Sequence, residues 1–216
     1  MQLKLGKRVQ CKDGDAGDLL DLVVDPVAVR VTHLIVKPRK SFGQSRLVPI
    51  GLVDPSAAGD GLSLDCTLAE AAEFPSVSGF ADVGMDEVPR DDPTWDRGVT
   101  DVTVLPYAVD GPTGYGDVGI WYDRIPKGEV ELRRASEVFT ADHHRAGNMS
   151  GFVVDDADDR ITDVILVRGH LWWRREVRVP AEAVAKFESD LITLDLSEAG
   201  IEELSAPQKS AEGEDR

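Results

Sequence analysis

Apolar and β-branched residues along this chain come in short runs broken by turn residues, the pattern of small β-domains rather than of helices. Lys7 to Gln10 predicts a first strand, and Lys12 to Gly17 (KDGDAG) a tight turn, because Asp-Gly supplies the positive φ of a hairpin. Leu19 to Val24 predicts a second strand, ended by Asp25-Pro26, since proline cannot donate to a ladder. Val29 to Val36 is nearly all apolar and predicts a third strand buried on both faces. Lys37 to Ser45 turns the chain, Arg46 to Ile50 returns it, Gly51 to Gly61 crosses over, and Leu62 to Cys66 closes the sheet. Hairpin-linked strands of this kind, with no helix indicated, predict a small all-β barrel.

The same pattern recurs. Gly17, Val23, Val24, Asp25 and Thr32 match Gly147, Val153, Val154, Asp155 and Thr162 at a spacing of 130 residues. Val48-Pro49 matches Val179-Pro180 at 131, and Leu62 to Asp65 (LSLD) matches Ile192 to Asp195 (ITLD) at 130 again. A register kept that long indicates a duplicated domain. The expected organisation is therefore one repeat over residues 1–70, a connector over 71–130, a second repeat over 131–204 and a disordered tail over 205–216. In the second repeat the turns fall at Asp142 to Gly147 and Asp155 to Arg160. Its crossover, Ala181 to Phe187, predicts a short helix on propensity, and Asp195 to Leu204 a further turn or two.

Composition refines this reading. The 216 residues carry a formal charge of −16. It is unevenly spread: neutral over 1–70, −8 over 71–130, −5 over 131–199 and −3 over 200–216. Such a balance disfavours duplex nucleic acid and anionic lipid as partners of the whole molecule. Neither a signal-peptide run nor a transmembrane-length apolar stretch is present, so a cytoplasmic protein is expected. Cys11 and Cys66 correspond to Ala141 and Leu196 in the second repeat, so the fold does not demand a bridge, and buried free thiols are the expectation.

A glycine ahead of a Val-Val-Asp strand end, a Thr-x-[Leu/Val]-Ile strand, a basic hairpin, then Val-Pro and a closing strand together resemble the PRC-barrel domain family. The resemblance covers residues 3–70 and 131–198. The family includes the cytoplasmic part of the H subunit of photosynthetic reaction centres and the C-terminal domain of the ribosome maturation factor. It implies a pair of PRC-barrel-like β-barrels acting as a protein-interaction or scaffolding module without chemistry of its own. With neither a ribosomal targeting domain nor a transmembrane helix ahead of the barrel, neither named function carries over. The motifs are structural, so they speak to fold rather than to function.

The connector holds six of the twelve prolines, eight of the twenty glycines and all three tyrosines, at Tyr107, Tyr115 and Tyr122. Val99 to Tyr107 has strand character, and Ile120 to Ile125 offers aromatic residues that a polar linker does not need. Part of it is expected to pack on a barrel or between the two, with Glu73 to Asp96 mobile.

Several features imitate chemistry. Gly114 to Gly119 fits G-x-G-x-x-G but lacks the strand before and the helix after. Asp155, Asp156, Asp158 and Asp159 suggest calcium, yet the turn lacks the central glycine and terminal glutamate of a helix-loop-helix site, so a solvated turn is the simpler reading. His143 and His144 stand side by side without other zinc ligands at suitable spacing. His33 aligns with Asp163 and reads as surface. With no nucleophile elbow and no ordered triad, no enzyme, cofactor or metal is expected.

One feature stands out for function. The hairpin after the third strand carries Lys37, Arg39, Lys40 and Arg46 in the first repeat. In the second it carries Arg168, Arg174, Arg175 and Arg178 beside Leu171, Trp172 and Trp173. Eight of the chain's 24 cations sit in these two hairpins. Segregated arginine with tryptophan is the composition of a protein-interface hot spot. The plainer alternative is that Trp173 caps its barrel while the arginines pair with connector acids. The sequence thus favours a non-enzymatic tandem β-barrel adaptor with an unidentified protein partner, a homo-oligomer being possible. An RNA-binding module using the same hairpins, and a small-molecule site between the barrels near Tyr107 to Tyr122, are the alternatives.

Overall fold

The structure, a computed structural model, describes residues 1–39, 44–56, 61–83, 95–98, 118–134, 136–169 and 175–205. In chain order its strands are β1 (Gln2–Lys4), β2 (Arg8–Cys11), β3 (Gly14–Asp25), β4 (Arg30–Lys37), β5 (Arg46–Pro49) and β6 (Leu62–Ser63), followed by helix α1 (Leu68–Glu73). Then come β7 (Ser78–Val83), β8 (Trp95–Gly98), β9 (Val118–Pro126), β10 (Val130–Leu132), β11 (Glu137–Phe139), β12 (Arg145–Val154) and β13 (Ile161–Arg168). The chain ends with β14 (Arg175–Pro180), β15 (Val184–Glu188), β16 (Leu191–Leu194) and helix α2 (Glu198–Ser205). The molecule is mostly β, as expected.

Two sheets dominate. The first has the order β5-β4-β3-β2-β6 and the second β14-β13-β12-β11-β16-β15, both antiparallel except that β2–β6 and β11–β16 run parallel. Their irregularities coincide. The β3–β4 ladder shifts register between Leu19 and Asp21 and between Val23 and Val24. The β12–β13 ladder shifts between Met149 and Gly151 and between Val153 and Val154, each 130 residues on. Gly17 and Gly147 are explained at the same stroke: a Cβ on Gly17 would lie 2.1 Å from the Lys37 carbonyl oxygen, and one on Gly147 2.6 Å from that of Val167. The strand behind each glycine comes too close for any side chain.

The sequence did not indicate how the two sheets are joined. Strand β1 pairs not with its own sheet but with β12 of the second, setting Leu3 opposite Phe152. Strand β10, which leads into the second half, pairs with β3 of the first and sets Leu132 opposite Leu22. Leu3, Leu22, Leu132 and Phe152 are all completely buried, in one apolar core that runs through both halves. A third link lies between the turns. Arg30 and Arg160 form an antiparallel bridge, with the Val31 N–H donating to Asp159 O at 3.1 Å and the Ile161 N–H to Val29 O at 2.9 Å. Val29 and Asp159, again 130 apart, both have positive φ, 52° and 60°. For a β-branched valine that is a strained conformation, held by the bridge on either side of it. β4 and β13 therefore leave the bridge antiparallel to one another.

Among the described residues no pairing closes either sheet into a barrel, and one expected helix needs correction. Instead a one-turn 3-10 helix (Ile50–Leu52) leads from β5 to Val53, which bridges Leu64 beside β6. In the second half a matching 3-10 helix (Ala181–Ala183) leads into β15. The segment expected to be helical, Ala181 to Phe187, is thus mostly strand, because pairing with β16 and burial of Phe187 against Phe152 outweigh the propensity of its alanines. The first half does have a helix. α1 starts at a full capping box, with Thr67 Oγ1 accepting from Glu70 N–H and the Glu70 carboxylate accepting from Thr67 N–H. α2 matches the turns expected after Asp195.

The connector forms its own three-stranded sheet, β7-β9-β8, so the stretch expected to be mobile, Glu73 to Asp96, includes strand residues 78–83 and the start of β8. It packs on the first half: Val77 and Ile125 are buried with Val23, Ile35 and Leu47 on the outer face of the first sheet. This accounts for the third strand's burial on both faces, since Leu34 and Val36 point into the common core. Thr32 Oγ1 donates to the Glu129 carboxylate at 2.5 Å and fixes the connector's end. The strand expected over Val99 to Tyr107 lies outside the described residues.

Because the two exchanged strands share one core, Leu3→Ala and Leu132→Ala should each lower stability by about 2–5 kcal/mol. Urea unfolding of either variant should show a single transition by both tryptophan fluorescence and circular dichroism; two separate transitions would mean that the halves fold independently.

Candidate functional site

The two hairpins do not expose their cations as one patch. In the first, Lys37 ends β4 and is exposed, whereas Arg39 donates from Nε to Asp18 Oδ2 at 2.6 Å. The Asp18 carboxylate pushes the Arg39 pKa further up, so this cation stays charged but is tied to β3. Arg46 opens β5 opposite Val36, and its guanidinium donates to the Phe74 carbonyl oxygen at 2.9 Å. In the second hairpin Arg168 reaches Glu198 at the start of α2, 3.5 Å away, while Arg175 and Arg178 on β14 are exposed. Lys40, Leu171, Trp172, Trp173 and Arg174 lie outside the described residues. Among the described cations, then, Arg39, Arg46 and Arg168 are anchored to neighbouring structure, and Lys37, Arg175 and Arg178 face solvent. The acids that hold Arg39 and Arg168 belong to the sheets and α2, not to the connector.

A cavity of about 370 Å³ lies between the base of the first hairpin and α1. Its floor is Val36, Val48 and Leu64, which also belong to the common core. One wall is the face of α1, from Leu68, Ala71 and Ala72, and the rim carries Arg39, Gln44, Arg46 and Asp15. Helix α1 fully buries none of its residues, and only Ala71 is partly buried against the core. The second half differs at this place. There α2 packs on β14, and Ile201 is completely buried. By the 130-residue register Ile201 stands where the first half has Ala71. By strand pairing Val177, opposite Leu166, stands where the first half has Arg46, opposite Val36. An isoleucine and a valine close the second site; an alanine and an arginine leave the first one open.

Sequence reasoning found Arg39 and Arg46 but not Leu68, Ala71 or Ala72. The signal was present in the Thr-Leu-Ala-Glu capping box at 67–70 and in the mismatch of Ala71 with Ile201.

Beside α1, Cys11 and Cys66 are buried free thiols with sulfur atoms 3.7 Å apart. Burial, reinforced by the Cys66 thiol, pushes the Cys11 pKa up to about 12. The acidic turn uses its carboxylates locally: Asp155 accepts from the Ala157 N–H, Asp158 from the Arg160 N–H, and Asp156 pairs with the Met1 ammonium. Burial and the neighbouring Asp158 raise the Asp159 pKa. His33 is half-buried rather than on the open surface, with Nδ1 3.0 Å from Thr32 Oγ1 and 3.6 Å from Glu129. Among the described residues no group of three or more His, Cys, Asp or Glu side chains could hold a metal ion, and no helix is long and apolar enough to cross a membrane. The G-x-G-x-x-G stretch falls almost wholly outside the described residues.

Compared with known proteins, the chain matches no family model and no curated protein.

The thiol geometry has a pH consequence. An unfolded cysteine titrates near about 8.5, and folded Cys11 at about 12. Between those values the native state holds the proton that the unfolded state has lost, so stability should fall as pH rises through that window. Urea midpoints measured from neutral to strongly alkaline pH should show the decline, and Cys11→Ala should flatten it; an unchanged slope in that variant would assign the effect elsewhere.

Proposed function

We propose that the chain is a non-enzymatic adaptor built from two PRC-barrel-like repeats, working in the cytoplasm and engaging a protein partner through its basic hairpins. The duplication is supported by the bulges, glycines and strained turn residues that recur at one spacing in both sheets. The barrel reading is supported by the 3-10 connections that carry the chain from one sheet edge toward the other.

The observation that carries the adaptor reading is the bridge between Arg30 and Arg160. From it β4 and β13 run antiparallel to one another, so the bases of the two hairpins are reached in different directions along the strands. Two basic hairpin bases joined through one shared core suit a bridge between two sites on a partner, or between two partners, where avidity multiplies modest affinities. Exposed Lys37 and Arg175 supply steering for an acidic surface, as charge at an interface rim does.

The intact chain should capture a partner in a pull-down from lysate. The variant carrying Trp172→Ala, Trp173→Ala, Arg174→Ala and Arg175→Ala should lose it while keeping its circular dichroism spectrum. Lys37→Glu should weaken capture in a salt-dependent way. Identical captured proteins from wild-type and folded variant chains would remove the hairpins from the function. Capture of RNA, lost steeply as salt rises, would replace the protein partner by nucleic acid.

A further inference from the structure

We propose that the cavity between the first hairpin and α1 is a binding site for a small amphiphilic carboxylate, with an apolar chain or ring inside and its anionic group at Arg46. The inference is independent of the adaptor reading, for it rests on a difference between the two halves of the same molecule.

The cavity is of ligand size. Small-molecule sites commonly occupy about 300–1,000 Å³, mostly apolar with a few placed polar groups, and this one holds about 370 Å³. The apolar surfaces are Val36, Val48 and Leu64 below and Leu68 and Ala71 beside. The second half, on the same strand order and register, fills the corresponding place from within by burying Ile201 against its sheet. The occupant of the first site therefore takes the place of a branched aliphatic side chain.

Arg46 gives the chemistry of the other end. It stands where the second half has buried Val177, on the strand face that also carries Val48 into the core. An arginine has five N–H donors in a planar fork suited to a carboxylate. The Phe74 carbonyl takes one bond from NH1, and that bond holds the side chain across the rim. Arg39, tied through Nε to Asp18, adds a second guanidinium at the mouth. Asp15 also lines the mouth, but its carboxylate accepts from the Gly17 N–H at 3.0 Å. Arg39 is already paired with Asp18, so the preference for an apolar anion over a neutral or cationic ligand rests on Arg46.

The probe is decanoate, with decanol as its neutral counterpart, titrated into the full chain and followed by methyl NMR and calorimetry. Saturable binding at one site is expected, with shifts centred on the Val36, Val48 and Leu64 methyl groups. Ala71→Ile, which supplies the second half's own plug, should weaken decanoate by about tenfold or more and should not weaken the fold. Arg46→Met should weaken decanoate by about tenfold while leaving decanol nearly unchanged, since only the charge-assisted hydrogen bond is lost. No saturable binding, or shifts centred away from those methyl groups, would overturn the site. So would unchanged affinity in folded Ala71→Ile; where that variant does not fold, the wild-type shift map decides. Equal losses for decanoate and decanol in Arg46→Met would overturn the anionic class. If Ala71→Ile instead abolished capture of a protein partner while the wild-type chain ignored decanoate, the occupant would be a partner's side chain and the proposal would fail. Loss of capture on hairpin substitution with decanoate binding intact would leave both readings standing.

Discussion

The exchange of β1 and β10 is the constraint on which the rest depends. Each half has about 70 residues, a size at which a single core is marginal. By sending its first strand into the other half's sheet, each contributes a buried leucine, Leu3 or Leu132, opposite the partner sheet's Phe152 or Leu22. The two cores then merge into one. The exchange also explains a glycine that the pattern of the repeat does not. Gly151 stands where the first half has Asp21, and a Cβ there would lie 2.0 Å from the Leu3 carbonyl oxygen. The bulge at Gly151 is thus shaped to admit a strand from the other half of the chain.

Much of the fold was legible because its signals are local. The β2–β3 and β4–β5 hairpins follow from turn residues and from alternating or fully apolar runs, and the repeat set both halves to one plan. The exchange was not legible. Gln2–Lys4 and Val130–Leu132 are three residues each, too short to show a period, and their partners are more than 100 residues away. The crossover to β15 failed for a related reason: alanine-rich propensity is a weak preference that a ladder to β16 and the buried Phe187 ring override. The α1 helix was legible and overlooked. Six residues carry no periodicity worth reading, but the Thr67–Glu70 capping box is a signal that needs none.

The candidate site was half visible. Composition drew attention to Arg39 and Arg46, because unbalanced cations stand out in an acidic chain. Composition cannot tell an arginine facing solvent from one facing inward, and that distinction separates Lys37 from Arg46. It becomes readable only when strand pairing puts Arg46 opposite Val36, in the place where Val177 faces Leu166. The bridge at Arg30 and Arg160 was similarly hidden. Nothing in a valine at position 29 announces a positive φ, and the same geometry at Asp159 is unremarkable, since aspartate tolerates it.

The divergence between the two halves bears most on function. Where both halves share a feature, such as the glycine pair at 17 and 147 or the bulges at 21 and 151, folding alone accounts for it. Folding does not account for Arg46 and Ala71. An isoleucine at the equivalent of Ala71 fills the second site, and removing such a buried side chain forfeits about 2–5 kcal/mol. Arg46 stands half-buried on the strand face where the second half buries Val177, its guanidinium held by the Phe74 carbonyl. The first half thus lacks, at two positions that line one cavity, the buried isoleucine and valine that the second half has. Departures from the rules of good packing concentrate where function requires them. On that ground the cavity under the first hairpin is where the two matching halves of this molecule part company most plainly.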